Sequence, residues 1–409
     1  MNAHPDRSVH ETAADALRAR PSPQPQAARR VCLIGFTLAL CYVIVLGGTF
    51  LKGNFLVDAQ GRPIANDFVN VVAAGRLTLG GDAPAAYDWP THKQAEVRAI
   101  GHDFENYYGW HYPPTFLFVA AALATLPYLV AALVWLAATL AAYAVAIRHI
   151  LGSRTGLAVA FGFPAALWNV TAGQNGFLTA ALVGGTLGLL QRRPALAGVC
   201  LGLLTYKPQF GLLFPLALIA DRRWLTIIVA AATAAGLAAL SWLVFGSASW
   251  QAFAHWMPIT SRVVLDEGGA DWSRLQSLFG LVRAHGGSEV LAFAVQSAGS
   301  AAAAIGIVWL WRSRAPFDLK AAALAAATLF ATPYVYMYDV VVLAVAVAFL
   351  LRFALERGVT AIEMAGLAGA GALILIFPYV KTQVGLGAIL IVLALVMQRA
   401  LAEVTRPAR

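Results

Sequence analysis

Apolar runs of about 20 residues recur from Val31 to Gln398, separated by short clusters of Arg and Lys. A helix rises about 1.5 Å per residue, so each run is long enough to cross the hydrocarbon core of a bilayer. The pattern predicts an all-α, polytopic integral membrane protein with about 12 transmembrane helices. Composition agrees: 60% of residues are hydrophobic and 12% charged, where a soluble domain carries about 25% charged residues.

The formal charge of +9 is no nucleic-acid signal, because the cations sit between apolar runs, as in cytoplasmic loops. Cys32, Cys41 and Cys200 lie in apolar segments without paired spacing and read as small buried hydrophobes. Residues 1–28, rich in Pro, Ala, Arg and Gln, read as a disordered cytoplasmic tail. The membrane domain is expected over 29–402, with a second cytoplasmic tail at 403–409. The first apolar run is too long for a signal peptide and has no small-residue cleavage site after Phe50, so it reads as an uncleaved span.

Arg29-Arg30 before the first run sets the N-terminus in the cytoplasm and makes 52–112 the first extracytoplasmic loop. Two short surface helices are expected in that loop, near 67–79 and 91–101. The apolar stretch 113–147 is interrupted by Pro127. Between Arg192-Arg193 and Arg222-Arg223 the chain must enter the membrane and return in 28 residues, where two full spans need about 40. Half-length helices over 194–206 and 208–221, meeting at Lys207-Pro208, solve this. A broken helix survives at membrane depth only inside protein or beside a cavity, which puts Lys207 next to one. Further spans are expected at 224–245, 289–311, 320–333, 339–352, 361–379 and 383–399, with a second large extracytoplasmic loop at 246–288.

Polar groups collect on the outer side: Asp67, His111, Gln174-Asn175, Lys207, Gln276, Asp339 and Lys381. Ionisable groups at membrane depth are costly and mark function by default. Each also has a plain structural alternative. Asp67 suits an N-cap, Gln174-Asn175 suit a cap for the helix from Phe177, Asp339 caps the following span, and Lys381 reaches the headgroups. Lys207, confined between short helices, is the hardest to explain that way. No phosphate loop, metal-ligand spacing or Gly-x-Ser-x-Gly elbow competes.

Asp67-Phe68, Ala73-Ala74-Gly75-Arg76, Gly81, Tyr87-Asp88, Tyr112-Pro113-Pro114-Thr115-Phe116, Gly173-Gln174-Asn175-Gly176, Leu196-Ala197-Gly198 and Tyr206-Lys207-Pro208 follow one another in order. This set resembles glycosyltransferase family 87, a GT-C family of polyprenol-phosphate-mannose-dependent α-1,2-mannosyltransferase-like enzymes. The resemblance implies a GT-C type fold in the bacterial plasma membrane and an active site on the extracytoplasmic side; the residues themselves show no metal-ligand spacing, and no cofactor or metal is expected. It implies transfer of a hexose or pentose, with mannose preferred, from a polyprenyl-phosphate donor to a glycan or glycolipid acceptor. By the same resemblance Asp67 is the base, and Lys207, Gln174 and Asn175 hold donor phosphate or sugar. A His found in a late outer loop of some relatives is absent from Thr332–Asp339, where Tyr336 or Tyr338 takes its place. Asn70, Trp110, His111, Tyr112, Trp256 and Trp272 are candidates for acceptor contact, and the aromatics among them equally suit an interface belt.

The chemistry is coherent with one carboxylate. A polyprenyl phosphate leaves as an anion that is stable near neutral pH, so no general acid is required. One base and a cation for the phosphate suffice, and a single displacement inverts the anomeric centre. A transporter or lipid flippase, or a non-catalytic glycan-assembly subunit, are the alternative readings. The first would usually show repeated halves and would not require a long polar first loop.

Overall fold

The computed structural model describes residues 25–52, 66–269 and 271–405. The helices are α1 (Pro25–Leu51), α2 (Val69–Leu79), α3 (Trp89–Ile100), α4 (Leu117–Ala124), α5 (Tyr128–Leu151), α6 (Ser153–Gly162), α7 (Pro164–Ala172), α8 (Gly176–Leu189) and α9 (Pro194–Leu203). They continue as α10 (Phe214–Ala220), α11 (Trp224–Ser261), α12 (Leu278–Ala284), α13 (Glu289–Arg312), α14 (Phe317–Phe330), α15 (Leu343–Arg357), α16 (Ala361–Leu375) and α17 (Val384–Val404). No strand occurs among the described residues. Helix α1 begins at Pro25, inside the stretch 1–28 expected as a tail, and α17 runs to Val404, into the stretch expected as the second tail. Residues 1–24, 406–409 and, within the first loop, 53–65 lie outside the described residues.

Among the described residues, five helices are long and apolar enough to cross a membrane: α1, α5, α11 with its following turn, α13 and α17. The pair α6–α7, bent by 55° at Pro164, makes a sixth if it is one span. Length alone therefore gives five or six crossings against the expected twelve. The difference lies in shorter apolar helices such as α8 and α16, and in runs broken at proline. Pro127 separates α4 from α5, because proline disfavours helix in the residue before it and has no N–H to donate.

The half-length helices are present. Helix α9 continues as a 3₁₀ turn to Tyr206, Lys207 leaves helical geometry (φ −130°, ψ 73°), and a second turn, Pro208–Gly211, leads to α10. The expected loop 246–288 differs. Helix α11 runs on to Ser261 and only changes direction at Gly246, whose φ of 78° is the left-handed region that favours glycine. A π-turn over Arg262–Asp266, a 3₁₀ turn over Trp272–Arg274 and α12 fill the rest, so this segment is mostly helical. Its apolar stretch exceeds one span, and neither the turn at Gly246 nor Pro258 inside the helix ends it before Ser261.

Helices α14 and α15 form the centre. Ala321 through Leu329 and Val340 through Leu351 are buried, and the alanine run lets α15 and α17 approach α14 closely. Helices α1 and α11 lie outside and expose Leu33, Val43, Ile44 and Leu243, a surface suited to lipid rather than water. Arg352 with Asp318 ties α15 to α14, and Arg399 with Glu363 ties α17 to α16.

The first-loop helices are not both surface helices. Val69 through Gly75 of α2 are all buried against α4. A Cβ at Gly75 would stand 2.1 Å from the Ala120 carbonyl oxygen, so only glycine permits this crossing. That packing fixes the start of α2, and with it Asp67.

Candidate active site

At the start of α2 the free N–H groups are already satisfied. Phe68 N–H donates to Asn66 Oδ1 at 3.1 Å, and the N–H groups of Val69 and Val71 donate to backbone carbonyls at 2.9 and 3.0 Å. Asp67 is therefore not the cap; the Asn66 side chain, and not Asp67, takes the Phe68 N–H. The Asp67 carboxylate instead accepts a hydrogen bond from Gln174 Nε2 at 2.9 Å, across 107 residues of sequence. Burial away from bulk water raises its carboxyl above the ordinary aspartate range, partly countered by the Gln174 hydrogen bond and by the charges of Arg274 and Lys207.

Gln174 and Asn175 are not caps either: the N–H of Gly176 at the start of α8 is taken by Asn169 Oδ1 at 2.8 Å. Gln174 Oε1 accepts from the Tyr112 hydroxyl at 3.2 Å, and that hydroxyl accepts from Asn175 Nδ2 at 2.7 Å. The Asn175 carbonyl accepts from Tyr206 and Thr179. A continuous chain of neutral donors and acceptors thus runs from Asp67 inward to the Lys207 break.

Asp67 opens into a cavity of about 820 Å³. Its walls include Asn70, His111, Gln174, Tyr336 and Tyr338 from the sequence candidates, together with Trp89, Glu105, Tyr107, Tyr108, Trp168, Arg274 and Phe377. The Tyr336 and Tyr338 rings stack at 5.4 Å and 13° between planes. His111 Nδ1 lies 3.3 Å from the Thr260 hydroxyl of α11. Glu96, fully buried on α3, holds the backbone N–H of Tyr108 at 3.2 Å, and so supports that wall from behind.

Several sequence candidates fall elsewhere. Lys207 does not line the cavity. It is 7% exposed, makes an ion pair of 2.8 Å with Asp339, itself 1% exposed, and lies 5.2 Å from the Tyr338 ring centroid. Asp339 caps nothing; its second oxygen accepts from the Tyr336 N–H at 3.1 Å. Trp110 and Tyr112 are buried in an aromatic cluster with Phe116 and Tyr206, so neither offers a ring face to a sugar. Asn175 is buried behind Gln174. Trp256 stacks on Trp89 at 5.7 Å but stays out of the lining, and Trp272 is fixed by its N–H to the Leu265 carbonyl and by Arg283 over its ring. Lys381 is exposed and Gln276 is fully buried.

Sequence reasoning missed Arg274, Trp89, Tyr107, Tyr108, Trp168 and Phe377. The available signal for Arg274 was an arginine in a segment expected outside, where arginine is depleted. Arg262 and Arg283 in the same segment diluted it.

The fold and cavity define a helical membrane protein with an aromatic-walled polar chamber and a carboxylate that caps no helix and, among the described residues, pairs with no cation. The chain belongs to glycosyltransferase family 87, whose family model matches residues 110–333, more than half its length. Gln174, Asn175, Lys207 and Arg274 fall inside the matched stretch, and Asp67 falls before it. No curated protein and no solved structure matches the chain.

Proposed function

We propose that the protein moves a sugar, mannose first among hexoses and pentoses, from a polyprenyl-phosphate donor to an extracytoplasmic glycan or glycolipid acceptor, with inversion. The enzyme is read as a GT-C type fold of about twelve spans in the bacterial plasma membrane, the cavity opening on the extracytoplasmic side. The observation that carries this reading is Asp67, a carboxylate on the wall of a large cavity with one neutral amide as its partner. In the transfer step the acceptor hydroxyl oxygen attacks the anomeric carbon. The bond from that carbon to the phosphate oxygen breaks, its electron pair leaves with the phosphate, and Asp67 takes the hydroxyl proton. Its raised pKa brings the base nearer working pH. Gln174 orients the carboxylate, while Trp89, Tyr107, Trp168 and Phe377 offer ring faces for sugar.

Transfer of mannose from polyprenyl-phosphate mannose in nanodiscs tests the proposal. Asp67→Asn should fold with wild-type thermal stability and lose about 10²–10⁴-fold in turnover. An Asp67→Asn protein with most of its turnover would remove the base from the mechanism, and a wild-type protein inert with every polyprenyl-phosphate sugar would remove the donor.

A further inference from the structure

The donor reading requires a cation for the phosphate, and Lys207 was the sequence's choice. Its ammonium is held by a buried carboxylate at 2.8 Å and does not reach the cavity wall. Separating that pair to bind a ligand would leave the Asp339 charge buried and uncompensated. Among the described residues that line the cavity, Arg274 is the single Arg or Lys. Its side chain is exposed and has no ion pair or hydrogen bond among the described residues, which leaves its N–H donors available.

The backbone that carries it is fixed. Asp271 accepts from the Ser273 N–H at 3.0 Å, closing the turn Trp272–Arg274. Gln276, fully buried, donates from its amide to the carbonyls of Ser273 and Arg274 at 3.0 and 3.2 Å. Its own Oε1 takes the N–H of Gly385 at the start of α17, and its backbone N–H reaches the Val335 carbonyl beside Tyr336. Gln383 holds the Trp272 carbonyl at 3.0 Å. Two buried glutamines thus pin a short turn to two other parts of the fold, with a free guanidinium at its end. The charge of Arg274 is felt by Asp67, Tyr108 and Tyr336, all on the same cavity.

We propose that Arg274 binds the phosphate of the lipid-linked donor, and that Lys207, bound to Asp339, positions the Tyr336–Tyr338 wall instead of contacting the donor. The assignment rests on the transferase reading above. A sugar phosphodiester carries one negative charge, and one guanidinium can grip its two free oxygens through paired N–H donors. As the anomeric bond breaks, a second negative charge develops on the departing phosphate, so the same contact is stronger in the transition state than in the ground state.

The test measures binding of undecaprenyl monophosphate to the full-length protein in nanodiscs, and transfer from undecaprenyl-phosphate mannose in the same preparations. Arg274→Gln, Arg274→Lys and Lys207→Met are compared with wild type. Arg274→Gln should weaken lipid-phosphate binding and raise the donor KM by about 10–100-fold, with acceptor KM and thermal midpoint unchanged. Arg274→Lys should recover part of the binding, since it restores charge without the fork. Lys207→Met should lower the thermal midpoint more than donor affinity. Wild-type binding by Arg274→Gln, together with its loss in a folded Lys207→Met, would return the phosphate to Lys207 and overturn the assignment. Absence of lipid-phosphate binding by the wild type would instead overturn the donor reading itself.

Discussion

Asp67 and Asp339 are two carboxylates at the start of helical segments, and the sequence offers the same explanation for both, an N-cap. Neither is one. Asp339 has a strong donor on each oxygen, the Lys207 ammonium on one and the Tyr336 N–H on the other. Asp67 has a neutral amide on one oxygen and a cavity in front of it. A carboxylate held by an ammonium in a dry site is a poor base, because protonating it would strand the cation. A carboxylate held by an amide keeps its basicity and its orientation. Position relative to a helix therefore does not separate a structural acid from a reactive one; the donors do.

Neutralising each acid in turn should break the pair apart in opposite ways. The largest effect on turnover is expected at Asp67→Asn, the loss of about 10²–10⁴-fold at unchanged stability. Asp339→Asn is expected to act on folding. It leaves the Lys207 ammonium buried without its carboxylate, a change that typically costs about 3–5 kcal/mol. Adding Lys207→Met removes the stranded charge, so the double variant should recover most of the thermal midpoint that Asp339→Asn loses. Thermal unfolding of the four proteins, wild type, each single variant and the double, measures the coupling directly. If Asp339→Asn unfolded at the wild-type midpoint while losing all turnover, the two aspartates would have to exchange roles.

The sequence carried the all-helical membrane class, because hydrophobic length is a local signal, while helix length supports five or six crossings rather than twelve. The half-length helices on either side of Lys207 followed from counting residues between Arg193 and Arg222, and they are there. The family followed from short ordered words, and it holds. Partnership was not legible. Nothing near Lys207 in sequence points to Asp339, 132 residues away, and nothing near Arg274 says that its neighbours leave it free. The aromatic candidates went wrong for a related reason. Trp110 and Tyr112 have the amphipathic character of sugar-stacking residues, and the same character suits the dry cluster in which they are buried. The extended α11 was missed because a membrane span and its helical continuation read alike until Gly246 turns the chain.

A third carboxylate sharpens the comparison with the smallest expected effect. Glu96 is fully buried on α3, near Asp67, with His92 Nε2 3.7 Å from its Oε1. Burial pushes its pKa up to about 8, countered by Lys93 and the Tyr108 N–H. Burial also pushes His92 down to about 3, so between these values the pair is held neutral. Glu96 therefore has the raised pKa expected of a base but does not line the cavity. If donors and access decide the role, it should affect stability alone. The sign follows from linkage. The folded protein keeps a proton on Glu96 that the unfolded chain loses near pH 4.5, so this contribution to stability is full below that pH. It falls as pH rises and is gone above about 8. His92 acts oppositely, its contribution falling as pH drops from about 6.5 toward 3. Glu96→Gln keeps an acceptor for the Tyr108 N–H and cannot ionise. Its thermal midpoint relative to wild type should rise by a few degrees between pH 5 and pH 8.5, with turnover at neutral pH within about twofold of wild type. Parallel midpoints across that range would show Glu96 to be ionised in the folded protein. A loss of turnover as large as that of Asp67→Asn would mean that a raised pKa, and not access to the cavity, marks the base.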